Sequence, residues 1–234
     1  TYWITVREGL RIGEILQEIA EQTDFPVGEL EALLLDGSIT TSLFPEGQPS
    51  TLREWEGLLF PDTYEFLADS GPEVVLALLA GTMERRVGEI DWTELEEAGY
   101  SQYDGLIIAS LIESETRAND ERPLVSAVVA NRLSIGMALQ IDATVLYALG
   151  ERRTGLTLTD LEVDSPYNTY LQPGLPPTPI GGPGRASLEA AAAPADVDYL
   201  FYVLTNRDGT HSFTASYDEF LAFKNQAKED GVLP

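Results

Sequence analysis

Residues 101–117 read SQYDGLIIASLIESETR, and this stretch predicts the central helix of the fold. Ser101, with Asp104 three residues later, is typical of a capping box at a helix N-terminus. The apolar residues Ile108, Leu111 and Ile112 then recur at helical spacing and share one face. The stretch therefore predicts a capped helix with an apolar face at the centre of the molecule.

Two glutamates near the end of this helix differ in their predicted surroundings. Glu115 continues the apolar face, whereas Glu113 lies about 200° away around the helix axis. An apolar setting disfavours the carboxylate and raises its pKa, which is the property that a general acid needs near neutral pH. Alternatively, Glu115 ends the apolar face at the surface or pairs with an arginine. Glu113 is predicted to be an ordinary surface residue or a partner of Arg117 at i+4.

The sequence on both sides of the central helix mixes strand and helix patterns. β-Branched and aromatic residues predict a strand at 1–6 and a hairpin at 199–205 and 210–214. Periodicity and end signals predict seven further helices. These lie at residues 10–20, 27–35, 72–87, 92–98, 124–133, 187–193 and 217–228.

The secondary structure of two further segments is less clear from the sequence pattern. Residues 56–64 predict a strand followed by a turn, and residues 137–147 predict a hairpin or a strand leading into a helix. Together with the mixed elements, they indicate an α+β fold. We expect a small N-terminal α/β subdomain at residues 1–50, followed by a mixed helical and β-hairpin catalytic domain at residues 51–234. The proline- and glycine-containing stretch 40–51 marks the boundary.

The composition argues against several classes of function. The chain has 14 basic and 39 acidic residues and a net charge of −25, whereas nucleic acids and anionic membrane surfaces need a basic partner. It has no cysteine and a single histidine, His211, so thiol nucleophiles, disulfides, histidine metal sites and serine–histidine triads lose support. Nucleotide-binding and zinc-protease motifs are also missing. Carboxylate acid–base chemistry, as in glycan cleavage, remains, with no metal or cofactor expected.

Two other segments carry groups that suit a sugar site. Gln140, Asp142 and Thr144 alternate with apolar residues, so a strand would place them on one polar face. Such a face suits sugar hydroxyls, although a solvated strand has the same pattern. Residues 167–170 (YNTY) combine aromatic and amide groups beside a proline- and glycine-rich loop, which is typical of carbohydrate sites and also of packed loops.

Three further polar residues are predicted to be structural. Asn131 and Arg132 follow an apolar helix face and are expected to hold a loop by hydrogen bonds. His211, on the predicted hairpin, is expected to be a structural or surface residue.

Taken in order, seven stretches of the chain resemble the endolytic murein transglycosylase family, also called YceG-like, and together they cover nearly the whole chain. They are residues 6–10 (VREGL), 56–64 (EGLLFPDTY), 108–116 (IASLIESET), 131–147 with its NRL and LQ elements, 167–170 (YNTY), 174–180 (GLPPTPI) and 211–213 (HSF). The resemblance implies a lytic transglycosylase that cuts the MurNAc–GlcNAc β-1,4 bond within peptidoglycan strands and leaves 1,6-anhydro-MurNAc ends. It also implies that the second glutamate of E-x-E-T, Glu115, is the single general acid/base, with Glu113 as the alternative.

The resemblance also suggests which residues line the glycan groove, supported by Asn131 and Arg132. The expected lining residues are Gln140, Asp142, Tyr147, Tyr167, Asn168 and Tyr170. A hydrolase would need a second carboxylate beside the bond, and Asp142 is the candidate for that role. The alternative is a non-catalytic peptidoglycan-binding or scaffold module of a cell-wall synthesis complex, with Glu115 exposed or salt-bridged.

The family also implies a location and partners. Its members usually begin with a single membrane-anchoring helix, whereas this chain begins at Thr1 and has no apolar run of about 18 residues. We therefore expect a trimmed chain whose parent protein is anchored at the extracytoplasmic face of the cytoplasmic membrane. Peptidoglycan glycan strands are the expected partner, together with cell-wall synthases.

Overall fold

The computed structural model describes residues 1–45 and 47–233. Within these residues the elements are, in chain order, β1 (Tyr2–Thr5), α1 (Ile12–Gln22), α2 (Val27–Leu35), β2 (Thr63–Phe66), α3 (Pro72–Gly88), α4 (Thr93–Glu97), α5 (Gln102–Glu115), α6 (Arg122–Ser134), α7 (Asp142–Leu149), α8 (Arg185–Ala192), β3 (Phe201–Leu204), β4 (His211–Thr214) and α9 (Tyr217–Glu229). The predicted α+β class is confirmed, and the seven predicted outer helices are all present.

Helix α5 is the central helix, as its sequence predicts. The Ser101 side chain accepts a hydrogen bond from the backbone N–H of Asp104, and the Asp104 side chain accepts one from the Ser101 N–H, which completes the capping box. The helix packs against α4, α6, α7 and α8, so it is buried on all sides between Gly105 and Ile112. Close packing depends on Gly105, because a Cβ there would lie 2.3 Å from the indole ring of Trp92.

The N-terminal strand pairs with a strand that lies more than fifty residues further along the chain. In antiparallel register, Tyr2 faces Phe66 and Thr5 faces Thr63. Trp55 is fully buried, and its indole N–H donates to the carbonyl of Leu34 in α2 at 2.8 Å. These contacts join residues on both sides of position 50, and the division into 1–50 and 51–234 stays a prediction.

The predicted C-terminal hairpin is confirmed as strands β3 and β4, which pair antiparallel with Tyr202 facing Phe213. Helix α9 follows and packs on both strands. Its N-terminus is capped by Ser216, which accepts a hydrogen bond from the backbone N–H of Glu219.

Two local predictions are wrong in part. At 56–64 the turns come first and the strand begins at Thr63, because residues 51–57 form successive turns that end at Gly57 with φ +75°. At 137–147 no hairpin or strand forms, whereas the helix that one of the two interpretations includes is present as α7, which begins at Asp142. The polar strand face expected from the alternation of polar and apolar residues is therefore absent there. Thr144 is buried, and its hydroxyl donates a hydrogen bond to the carbonyl of Ile141. In the described part of the chain, no helix is long and apolar enough to cross a membrane.

Candidate active site

Glu115 is the last residue of α5 and is half-buried, where the helix end reaches the surface. Its Oε2 accepts a hydrogen bond of 2.6 Å from the hydroxyl of Tyr202. Burial raises the pKa of Glu115, and the nearby charge of Asp142 raises it further, while the Tyr202 hydrogen bond and the charges of His211 and Arg132 oppose this. A carboxyl group with a raised pKa is suited to donate a proton.

The hairpin brings Tyr202 to this position from 87 residues away along the chain. Burial and the adjacent Glu115 carboxylate raise the pKa of Tyr202 well above its usual range. The phenol therefore keeps its proton and remains the donor to Glu115. Sequence reasoning missed this residue, although the predicted hairpin already held the signal, because antiparallel pairing places Tyr202 beside the 211–213 strand.

Asn131 and Arg132 hold the segment that leads into the hairpin. The Asn131 amide donates to the carbonyls of Val197 and Tyr199, each at 2.9 Å. Arg132 Nε donates to the carbonyl of Leu200 at 2.7 Å. The sequence-based expectation that these two residues secure a loop by hydrogen bonds is confirmed.

Three of the six predicted glycan-binding residues lie at the surface near one another. Asp142 is exposed at the start of α7, and its Oδ1 accepts a 2.5 Å hydrogen bond from the hydroxyl of half-buried Tyr170. Gln140 is exposed, and its backbone N–H donates to the carbonyl of Thr169. Its φ of +52° is unusual for a residue other than glycine; such strain is often found at functional sites.

The other three predicted glycan-binding residues are inside the protein. Tyr147 is 7% exposed, Tyr167 is 2% exposed and Asn168 is fully buried. The two tyrosine rings pack with centroids 4.9 Å apart, and the Asn168 amide donates to the carbonyls of Leu161 and Val163. Their burial is at odds with a place in an open groove, and these contacts give all three a role in supporting the loops around α7.

Glu113 is neither a surface residue nor a partner of Arg117, so both interpretations of its sequence position are wrong. It forms a 3.2 Å salt bridge with Arg122, and the side chains of the two are 9% and 6% exposed. Its other oxygen accepts hydrogen bonds from the Ser187 hydroxyl at 2.8 Å and the Gly184 N–H at 3.0 Å. Glu113 thus joins α5, α6 and α8, while Glu115 has no salt bridge to any cation in residues 1–45 and 47–233.

Across the part of the chain that the structure describes, no group of three or more histidine, aspartate or glutamate side chains could hold a metal ion.

Comparison with known proteins places this arrangement in a family. The family profile described as YceG-like matches residues 1–226. The chain belongs to the YceG-like family. A YceG-like protein from Listeria monocytogenes, lmo1499, has a crystal structure that matches with a TM-score of 0.82 and 31% identity, over 95% of this chain and 76% of that one.

Curated relatives of this YceG-like chain carry the name endolytic murein transglycosylase. The Bacillus subtilis (strain 168) protein is 35% identical over 240 residues, which is 97% of this chain and 64% of the relative. The Streptococcus pneumoniae (strain R6) protein is 30% identical over 159 residues, which is 66% of this chain and 29% of the relative. The chain therefore spans less than two thirds of the length of these relatives.

Proposed function

We propose that this chain is an endolytic peptidoglycan lytic transglycosylase with Glu115 as its general acid/base. The proposal rests on one observation above others: Glu115 is a half-buried carboxyl group with a raised pKa, unpaired with any cation in the described residues, at the surface end of the central helix. The names of the B. subtilis and S. pneumoniae relatives support the substrate and the reaction.

In the proposed reaction, one carboxyl group acts twice. Protonated Glu115 first gives its proton to the glycosidic oxygen as the bond from MurNAc C1 to that oxygen breaks, which leaves GlcNAc with a free 4-hydroxyl. The resulting carboxylate then takes the proton of the MurNAc 6-hydroxyl as that oxygen attacks C1. The product is 1,6-anhydro-MurNAc, Glu115 is protonated again, and no water is consumed.

Tyr202 assists the intermediate stage of this sequence. Its hydroxyl donates to Glu115 Oε2 at 2.6 Å, and a hydrogen bond to an ionised carboxylate is stronger than one to the neutral acid. Tyr202 therefore stabilises the carboxylate that forms after the first proton transfer. The other oxygen, Oε1, is left to exchange the proton with the sugar.

The surface residues Gln140, Asp142 and Tyr170 are the proposed glycan contacts. They offer an amide, a carboxylate and an aromatic ring, which are groups that bind sugar hydroxyls and sugar faces. The Asp142 charge acts on Glu115, so these residues and the proposed acid belong to one region of the surface.

Digestion of purified peptidoglycan followed by mass spectrometry of the products tests the proposal. We expect wild-type protein to release anhydro-muropeptides and a folded Glu115→Gln variant to release none, a loss of about 10²–10⁴-fold or more. Unchanged activity in this variant would overturn the assignment of the acid. Reducing MurNAc ends would indicate a hydrolase with Asp142 as the second carboxylate, and glycan binding without turnover would indicate a binding or scaffold module.

The proposed substrate also implies a location and partners. Peptidoglycan lies outside the cytoplasmic membrane, so we place the chain at the extracytoplasmic face of that membrane. An anchor in the parent protein and association with cell-wall synthases belong to the same proposal.

A further inference from the structure

A buried carboxylate near the proposed active site, Glu121, takes no part in the proposed reaction. It is 6% exposed and precedes α6. Its Oε1 accepts a 2.7 Å hydrogen bond from the backbone N–H of His211, and its Oε2 lies 2.8 Å from His211 Nδ1. Oε2 also accepts a hydrogen bond of 3.0 Å from the hydroxyl of Thr116. One side chain thus joins the end of α5 to strand β4.

These contacts lead back to Glu115 by two routes. Thr116 follows Glu115 directly in the chain. On the other side, the His211 ring packs edge-on against the Tyr202 ring with centroids 5.7 Å apart, and Tyr202 donates its hydroxyl to Glu115. Glu121, Thr116, Glu115, Tyr202 and His211 thus form a ring of contacts. In this ring, Glu121 fixes the distance between the end of α5 and the hairpin.

We propose that Glu121 and His211 are positioning residues, which hold the Tyr202 hydroxyl within hydrogen-bonding distance of the Glu115 carboxyl group. The inference rests on the proposed function, because it assigns a task within that reaction. The geometry supports it, since a buried carboxylate with three donors from two elements tolerates little displacement of either.

The direction of the effect follows from the groups that face Glu115. They are Arg132 from α6, Asp142 from α7, Tyr202 from β3, His211 from β4 and Tyr170 from the loop before α8. Burial raises the pKa of Glu115 and the charge of Asp142 adds to this, while the Tyr202 hydrogen bond and the charges of His211 and Arg132 lower the pKa. If the Tyr202 hydroxyl leaves Glu115 while the site stays buried, Glu115 loses the hydrogen bond that favours its ionised form and becomes a weaker acid.

The test compares the pH dependence of kcat/KM on purified peptidoglycan for the wild-type chain and for Glu121→Gln, Thr116→Val and Tyr202→Phe. We expect Tyr202→Phe to lower kcat by about tenfold or more, as for a lost charge-assisted hydrogen bond. The alkaline limb of its profile should move to higher pH, because the acid keeps its proton longer. Glu121→Gln should also lower kcat and move the alkaline limb to higher pH, with KM little changed. Thr116→Val should move the alkaline limb to higher pH as well.

A double variant separates positioning from general loss of stability. Glu121→Gln combined with Tyr202→Phe should be no slower than Tyr202→Phe alone, because both remove the same hydrogen bond to the acid. The matched control is Glu219→Gln, since the Glu219 side chain also accepts a hydrogen bond from a β4 side chain, the hydroxyl of Thr214, whereas the Tyr202 hydroxyl bonds Glu115. This control should keep the wild-type profile.

The outcomes distinguish this inference from the proposed function. If the wild-type chain releases no anhydro-muropeptides, the proposed function fails. If the wild-type chain is active and folded Glu121→Gln keeps its kcat and its alkaline limb, the positioning role is overturned. Should circular dichroism show that Glu121→Gln does not fold, Thr116→Val decides: an unshifted alkaline limb overturns the inference, and a shift to higher pH supports it.

Discussion

Replacing Glu113 or Glu115 by glutamine is expected to affect the stability of the protein in different ways. Glu113 is the structural one: its carboxylate accepts from Arg122, Ser187 and the Gly184 N–H. Glutamine has the same shape, but it offers one acceptor oxygen and turns an NH₂ group towards a donor. In this variant the Arg122 guanidinium, whose side chain is 6% exposed, has no carboxylate partner at position 113.

Removing one partner of a buried ion pair costs about 3–5 kcal/mol. We take the lower end, about 3 kcal/mol, because glutamine keeps one acceptor. For a chain of this length each kcal/mol lowers Tm by about 2–4 °C, so Glu113→Gln should lower Tm by about 6–12 °C. Glu115→Gln should leave the stability equal or higher, because burial disfavours the ionised form of Glu115 and glutamine removes that charge.

Thermal unfolding measures the change in Tm, and urea unfolding measures the change in unfolding free energy; the fluorescence of buried Trp55 and Trp92 reports on both. The matched control is Glu189→Gln, because Glu189 pairs with Arg185 at 2.7 Å on the surface, with both side chains more than half exposed. That variant should change the unfolding free energy by less than about 1 kcal/mol. A Glu113→Gln variant as stable as the Glu189→Gln control would refute the buried-pair reasoning.

Three other substitutions test separate parts of the structure. Burial raises the pKa of Glu56 from 4.5 to about 7. The folded state therefore binds the Glu56 proton more tightly than the unfolded state, and the unfolding free energy of the wild-type chain should fall as the pH rises from 4.5 to about 7. In urea unfolding, this fall should be about 3 kcal/mol larger than in the Glu56→Gln variant. Gly105→Ala should destabilise by about 1–3 kcal/mol in thermal unfolding, since its Cβ would overlap Trp92, although alanine favours helices. Asn131→Ala removes two hydrogen bonds to the segment at 197–199 and should cost about 1–3 kcal/mol in urea unfolding; a loss below 0.5 kcal/mol would count against that support.

Much of the fold could be predicted because its signals are local. The bounds of α2, the capping box at Ser101 and the hairpin of β3 and β4 each depend on residues close together in sequence. The errors were local conflicts. Alternation around Asp142 resembled a strand, but an acidic residue at the first turn of a helix is also favourable, and the packing of α7 decided for the helix.

Helical periodicity predicted that Glu115 continues the apolar face of α5, because the spacing of residues along the chain determines which of them share a helix face. That much the sequence determined by itself, together with the α+β class and the absence of thiol chemistry. Tertiary structure alone decided that Glu113 pairs with Arg122, that Tyr147 and Tyr167 are buried, and that Tyr202 reaches Glu115 from 87 residues away. The physical reason is that burial and pairing depend on which distant elements pack together, and local spacing carries no record of that choice.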